Sequence, residues 1–153
     1  MAADLSGRVA LATGGGRGIG RSIALGLAKA GARLFLAARS ADQLAGVAKE
    51  IRSRGGEAEF LAADLSRTEG VEAVFDALRR EYATLDVLVK NAGLGISGPF
   101  IEFPEESLDT LLAVNVNGLF LCCQQAMRLM VPARRGYIIN ISSVVGVKTS
   151  ASF

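Results

Sequence analysis

A cluster of glycines near the start of the chain has the composition of an anion-binding site. Residues 9–24 read VALATGGGRGIGRSIA, so a short apolar run stops at the glycines and a helical pattern begins at once. A helix that starts directly after a strand points its free N–H groups, and the positive end of its dipole, at whatever lies above the strand. Glycines at that turn accept positive φ angles and let a phosphate come close to the backbone. The segment therefore predicts a phosphate cradle.

Two phosphate-binding patterns compete for this segment. Residues 15–22 read GGRGIGRS, which fits the triphosphate-binding pattern GxxxxGK[ST] except that Arg21 replaces the lysine, whose compact charge reaches the phosphates. The segment also contains Thr13-Gly14, Gly18 and Gly20, a longer form of the dinucleotide-binding loop whose last two glycines start the helix beneath the pyrophosphate. A flexible strand-to-helix turn is the third interpretation, and the glycines alone leave all three open.

The residues at the end of the second apolar run bear on which dinucleotide would bind. An NAD site places a carboxylate there, about 20 residues beyond the glycines, to bind the ribose 2′-hydroxyl. This chain has Ala38 and Arg39 instead, so no carboxylate repels a 2′-phosphate and a guanidinium can attract it. Arg17, inside the glycine cluster, adds a second cation. We predict that the chain binds NADP(H) rather than NAD(H). The alternative is that Arg17 and Arg39 simply face solvent and bind no phosphate.

The elements that must position these residues alternate along the chain. Helical periodicity separates five short apolar runs, which read RVALAT, RLFLAA, EAEFLAA, LDVLVK and YIINIS. This alternation predicts an α/β protein with a parallel sheet covered by helices on both faces. Ser66, followed by Glu69, predicts a capping box at the start of the third helix. The length suits one domain spanning residues 1–153.

Composition excludes several classes of function. The net charge is +2 with scattered lysines and arginines, which argues against a nucleic-acid surface. No signal peptide or membrane-spanning run is visible, so we expect a cytoplasmic protein without a membrane partner. The adjacent Cys122 and Cys123 would form a strained disulfide, and two reduced thiols are expected. The sequence contains no histidine, the commonest metal ligand, and we expect no metal site.

Five segments together resemble, in order and spacing, the short-chain dehydrogenases/reductases. They are TGGGRGIG, the pair Asp64-Leu65, the NAG of residues 91–93, the VNVNG of residues 114–118 and the INISS of residues 139–143. The resemblance covers essentially the whole chain. It implies a doubly wound, Rossmann-type parallel sheet with strand order 3-2-1-4-5. It also implies hydride transfer between NADP(H) and a small carbonyl or secondary-alcohol substrate.

The resemblance also implies which residues bind the cofactor. With the loop residues above, the set is Thr13, Gly14, Arg17, Gly18, Ile19, Gly20, Arg39, Asp64, Leu65, Asn91, Ala92 and Gly93. Asp64 would accept a hydrogen bond from the adenine amino group, beside the Leu65 backbone, and the Asn91 backbone would line the adenosine ribose. The family usually has asparagine where this chain has Lys90. We expect that departure to alter the bonds between the fourth strand and the first loop.

Two residues are candidate catalytic groups. Asn115 falls inside an apolar helical stripe, where a buried amide needs hydrogen-bond partners. The stripe consists of Leu108, Leu111, Leu112, Leu119 and Cys122. The resemblance implies that Asn115 bends the helix and holds a water of the proton relay, while a purely structural hydrogen bond is the alternative. Ser143 matches the serine that polarises the substrate carbonyl, with Ser142 or a strand-closing serine as alternatives. Val114 and Val116 make other faces of the helix apolar, so we expect it to pack against a second subunit in a dimer or tetramer.

The family's proton donor is a tyrosine followed one helical turn later by a lysine, which lowers the tyrosine pKa. This chain has no such pair, because neither Tyr82 nor Tyr137 has a lysine at that spacing. We therefore expect the N-terminal portion of a longer reductase, inactive by itself and truncated after the fifth strand of the sheet. The alternative is a non-catalytic nucleotide-binding or subunit-interaction module that ends naturally at residue 153.

Overall fold

The computed structural model describes residues 4–144, in which strands and helices alternate. The strands are β1 (Val9–Thr13), β2 (Arg33–Ala38), β3 (Ala58–Ala62), β4 (Val87–Lys90) and β5 (Tyr137–Asn140). The helices are α1 (Gly18–Lys29), α2 (Ala41–Ser53), α3 (Thr68–Glu81), α4 (Glu105–Leu112) and α5 (Gly118–Ala133). Each of the five apolar runs contains one of these strands.

All five strands run parallel, in the order β3-β2-β1-β4-β5. β1 lies in the centre, and every one of its residues is buried. β2 and β4 are also largely buried, and strands covered on both faces read as continuous apolar runs, which is why these three strands were visible in the sequence. The doubly wound Rossmann-type sheet expected from the sequence is confirmed. Because the strands are parallel, the segments that follow β1 to β4 meet at one edge, which we call the carboxyl edge.

Two apolar clusters cover the two faces of the sheet. On one face, Phe75 of α3 and Cys122 of α5 belong to the same cluster as Leu11 of β1. On the other, Leu44 of α2 is clustered with Leu36 of β2. Full burial of such a side chain stabilises the fold by about 1.5–3 kcal/mol. The helices therefore hold the sheet from both sides and leave its carboxyl edge free for a site.

A buried carboxylate fixes the opposite edge of the sheet. The Asp86 side chain is 5% exposed, and its Oδ2 accepts a hydrogen bond from the Val9 N–H at 3.0 Å. Its Oδ1 lies 3.1 Å from the guanidinium of Arg8 and 2.9 Å from that of Arg135. One side chain thus ties together the segments that lead into β1, β4 and β5.

A wide turn joins α4 and α5 into one long helix. Residues Ala113–Asn117 form a π-helical turn, which inserts an extra residue per turn and often marks a functional site. By length and composition the combined helix Glu105–Ala133 could cross a membrane, contrary to the expectation that no such run exists. Cys122 and Ala126 of this helix are nevertheless buried in the cluster that covers β4 and α3. One face of the helix is thus packed against the sheet.

Candidate functional site

A cavity of about 670 Å³ opens at the carboxyl edge, in the size range of small-molecule sites. Most of the predicted binding residues line it, namely Gly14, Arg17, Gly18, Ile19, Arg39, Asp64, Leu65, Asn91, Ala92 and Gly93. The cavity also has lining residues outside the predicted set, namely Gly16, Ala38, Ser40, Gln43, Ala63, Ser66, Leu94, Thr110 and Val114. Many of these adjoin a predicted residue in the sequence, and Thr110 and Val114 lie one helical turn apart. A position next to a predicted binding residue in the sequence could therefore have identified many of these additional lining residues.

The glycine cluster forms a turn that only glycine accommodates. Gly14 and Gly18 have φ angles of +64° and +52°, a region that side chains with a Cβ rarely adopt. A Cβ at Gly20 would overlap the carbonyl oxygen of Gly14, so α1 starts in direct contact with the end of β1. The residue before α1, Arg17, gives it no side-chain cap. The first N–H groups of α1 therefore face a bare backbone cradle, which fits a phosphate group.

Thr13 and Asn91 join the glycine turn to the segment after β4. The Thr13 hydroxyl accepts hydrogen bonds from the N–H groups of Asn91 and Ala92, both at 3.0 Å, and donates to the Val89 carbonyl at 3.3 Å. The Asn91 side-chain amide donates to the carbonyls of Thr13 and Gly14, at 3.2 and 3.4 Å. In this chain Thr13 and Asn91 make the joining bonds, whereas the Lys90 ammonium donates to the Ala92 carbonyl within its own segment. Thr13 is fully buried and supports the cavity wall from behind.

Replacing Thr13 with valine is expected to loosen this wall. Valine has a similar shape but no acceptor, so two part-buried N–H groups lose their partner at a cost of up to about 3 kcal/mol each. We expect a lower melting temperature, measured by circular dichroism. Thr13→Ser keeps the hydroxyl and is the matched control. Equal melting temperatures for the valine and serine variants would contradict the role assigned to the hydroxyl.

Charged residues line the cavity in the segments after β1, β2 and β3. Arg17 and Arg39 are both exposed, and both line the cavity. The Ser66 N–H and hydroxyl donate to Asp64 Oδ1 at 3.0 and 2.7 Å. These bonds, with a smaller contribution from the positive charge of Arg39, lower the pKa of Asp64 below its usual value, so the carboxylate is ionised at neutral pH.

The capping box expected at the start of α3 is wrong. The helix begins at Thr68 after Arg67, which provides no side-chain cap. The hydroxyl of Ser66 is taken by the charged Asp64 carboxylate, a stronger acceptor that forms a local turn with it. Asp64 is thereby held beside the cavity.

Asn115 lies in the π-helical turn, and it is exposed instead of buried as its apolar neighbours suggested. Its Oδ1 accepts from the Leu94 N–H at 3.0 Å, and its Nδ2 donates to the Leu94 carbonyl at 2.8 Å. The amide points toward the loop after Gly93 instead of into the core, which explains its exposure. Asn115 thus holds the loop that continues the cavity wall.

Ser143 follows β5 and is exposed. Among the described residues 4–144, neither Ser143 nor Asn115 lines the cavity. The Ile141 N–H donates to the Lys90 carbonyl at 2.9 Å, which aligns the segment after β5 with the end of β4. The structure therefore gathers the predicted binding residues at one site and leaves the two predicted catalytic residues at its margin.

A comparison with known families gives one match over most of the chain. The family model described as short chain dehydrogenase matches residues 8–153. The 3-oxoacyl-[acyl-carrier-protein] reductase of rhamnolipid biosynthesis from Pseudomonas aeruginosa is 40% identical over 151 residues, covering 94% of this chain and 57% of that protein. Gluconate 5-dehydrogenase from Gluconobacter oxydans is 37% identical over 141 residues, covering 92% and 55%. The chain spans a little over half the length of these curated relatives.

Solved structures share both the fold and the sequence. A metagenomic short-chain oxidoreductase, solved in complex with NADP, is 42% identical and superposes with a TM-score of 0.91. The match covers 96% of this chain and 67% of that one.

Proposed function

The chain belongs to the short-chain dehydrogenase family, and from this premise we propose that it binds NADP(H) for an oxidoreductase acting on a small carbonyl or secondary-alcohol substrate. One observation carries the choice of cofactor. The cavity joins a bare glycine cradle to Arg17 and Arg39, with Ala38 where an NAD site would have a carboxylate. The relative solved with NADP supports this proposal.

Each part of the cavity has a separate task in this proposal. The N-terminus of α1 and the backbone of Gly14 and Gly18 hold the pyrophosphate, and Arg39 with Arg17 binds the 2′-phosphate. Asp64, ionised and held by Ser66, accepts a hydrogen bond from the adenine amino group. When bound, NADP(H) supplies or accepts the hydride.

Ser143 and Asn115 are the residues of this chain that we assign to the substrate side. The Ser143 hydroxyl donates a hydrogen bond to the substrate carbonyl and polarises it, and Asn115 holds a water of the proton relay. The 153 residues contain no tyrosine with a lysine one helical turn later. We therefore propose that they bind the nucleotide without turning over a substrate.

A fluorescence titration of the chain with NADPH and with NADH tests the proposal. We expect NADPH to bind at least about tenfold more tightly, since a charge-assisted hydrogen bond contributes about 1.5–3 kcal/mol. Preference for NADH would contradict the assignment of Arg39, and Mg²⁺-dependent ATP binding would favour the triphosphate pattern. A measurable rate of ketone reduction would contradict the proposed lack of turnover.

We also propose that the whole protein is a cytoplasmic homo-oligomer, a dimer or tetramer. An apolar stripe at helical spacing lies exposed along the long helix, formed by Leu108, Leu112, Val116, Phe120, Met127 and Val131. Several large apolar side chains exposed on one helix are typical of an interaction surface. Sedimentation velocity tests it.

Replacing Phe120, which is 61% exposed in this stripe, with glutamate is expected to dissociate the oligomer. The substitution puts a charge into the apolar contact, where burial without a partner is costly. Arg80→Glu, on the exposed side of α3, is the control and should sediment as the original chain does. A whole protein that sediments as a monomer at every concentration would contradict the assignment.

A further inference from the structure

Lys90 is a buried cation immediately before the cavity wall. It ends β4 and is 2% exposed. Its side chain lies on the same face of the sheet as that of Leu88, which is clustered with Cys122. Burial lowers the pKa of Lys90, although Cys122 and Cys123 act in the opposite direction. Burying an ammonium group costs free energy unless the group gains a strong hydrogen-bond or ionic partner. The partner of the buried Lys90 ammonium therefore has to be identified.

The partner of Lys90 is not an anion. Within residues 4–144, none of the ion pairs involves Lys90. Cys122 and Cys123 are both free thiols, and burial raises the pKa of Cys122 to about 11, so that thiol is neutral at neutral pH. The Lys90 ammonium instead donates to the Ala92 carbonyl oxygen at 2.6 Å. A short charge-assisted bond to one backbone atom is the interaction that the buried charge makes.

That bond completes a clamp on the wall of the cavity. The Ala92 N–H is held by Thr13 and the Ala92 carbonyl by Lys90, so the peptide groups on both sides of this lining residue are fixed. Two residues further on, Asn115 holds both backbone groups of Leu94. A carbonyl oxygen that points toward an anionic ligand repels it. The hydrogen bond from Lys90 holds the Ala92 carbonyl on the side of the ammonium group.

We propose that Lys90 is a positioning residue, which sets the orientation of the Ala92–Gly93 peptide for the bound nucleotide through its hydrogen bond to the Ala92 carbonyl. The proposal rests on the proposed function, because the nucleotide is the ligand that this wall would face. It assigns a role to the position at which the chain departs from its family's usual asparagine. An asparagine side chain is two bonds shorter than that of lysine.

The test compares Lys90→Met, which keeps an apolar stem and removes the donor, with Lys90→Gln, which keeps a neutral donor. Lys49→Met, an exposed lysine on α2, is the control. For each chain we would measure NADPH affinity, amide hydrogen exchange of the nucleotide-free protein and melting temperature. For Lys90→Met we expect exchange at Ala92 and Leu94 to accelerate about tenfold and NADPH affinity to fall about tenfold, the worth of one strong hydrogen bond. Lys90→Gln should recover most of both losses.

The outcomes separate positioning from a merely structural role. A structural role would lower the melting temperature and leave the affinity of the folded protein unchanged, which would overturn the proposal. If Lys90→Gln behaved like Lys90→Met, the charge and not the hydrogen bond would matter, and the proposal would also fail. If the original chain bound no NADPH, the proposed function would fail. In that case the amide hydrogen exchange of nucleotide-free Lys90→Met would still test the role of Lys90. Faster exchange confined to Ala92–Leu94 would support the clamp, and unchanged exchange would overturn it.

Discussion

Replacing Gly20 with alanine is expected to weaken nucleotide binding by up to about 100-fold. The new methyl group would overlap the Gly14 carbonyl oxygen and lie 2.6 Å from the Asn91 side-chain nitrogen. Neither atom can move freely, because Asn91 is bonded to the backbone of both Thr13 and Gly14. The start of α1 would have to move away from the turn, which removes its N–H groups from the cradle. Overpacking costs of about 1–3 kcal/mol correspond to a loss of up to about 100-fold in affinity.

Gly26→Ala is the matched control for this prediction. Gly26 lies in the same helix, but a methyl group there would meet nothing within 4 Å. Alanine is favoured over glycine inside a helix by about 1 kcal/mol, so this variant should melt at a higher temperature and keep its affinity. Calorimetric titration with NADPH measures both variants. A folded Gly20→Ala variant that binds NADPH as the original chain does would show that the nucleotide lies elsewhere.

Replacing Arg39 with alanine is expected to remove the preference for NADPH over NADH. Arg39 lines the cavity at the end of β2, and a bond between its guanidinium and a phosphate would contribute about 1.5–3 kcal/mol. NADPH affinity should therefore fall by about 10- to 100-fold, whereas NADH affinity should stay unchanged because NADH has no 2′-phosphate. Adding Ala38→Asp should reverse the preference, since a carboxylate there binds the ribose 2′-hydroxyl and repels a phosphate.

Arg80→Ala is the control for the loss of one positive charge. Arg80 is exposed on α3 and does not line the cavity in the described part of the chain. Its removal should leave the ratio of the two affinities unchanged. An equal loss of NADPH and NADH affinity in Arg39→Ala would place Arg39 outside the 2′-phosphate site and would assign it a general role in the cavity.

The fold could be predicted because the central strands β1, β2 and β4 are buried on both faces and leave continuous apolar runs. β1 is the clearest instance, since burial of every residue required VALAT to be nearly all apolar. The glycine turn could also be predicted, because a backbone approach as close as that of Gly20 to Gly14 excludes every other residue type. Both predictions depend on local constraints that act directly on residue identity.

Contacts between segments that are distant in the sequence were harder to predict. Asn115 was placed in an apolar stripe, but Leu108 and Leu112 of that stripe are 47% and 44% exposed. Periodicity shows which residues of a helix are apolar, not which of them another element covers, and a π-helical turn shifts the faces on its two sides. The bond from Lys90 to Ala92 depends on a rotamer set by tertiary packing. Its consequence for the wall could not be inferred from residue types.

The position of β1 in the middle of the sheet has a consequence for how the chain reaches its native state. β1 is synthesised first, but one of its two neighbours in the sheet, β4, is synthesised much later. The Val9 N–H likewise has no bond to Asp86 until that residue, 77 positions further along the chain, has been made. Closing so long a loop carries an entropic cost that contacts with a near neighbour would avoid. During synthesis, one side of β1 therefore stays open until β4 has left the ribosome. The emerging chain is most prone to aggregation in that interval.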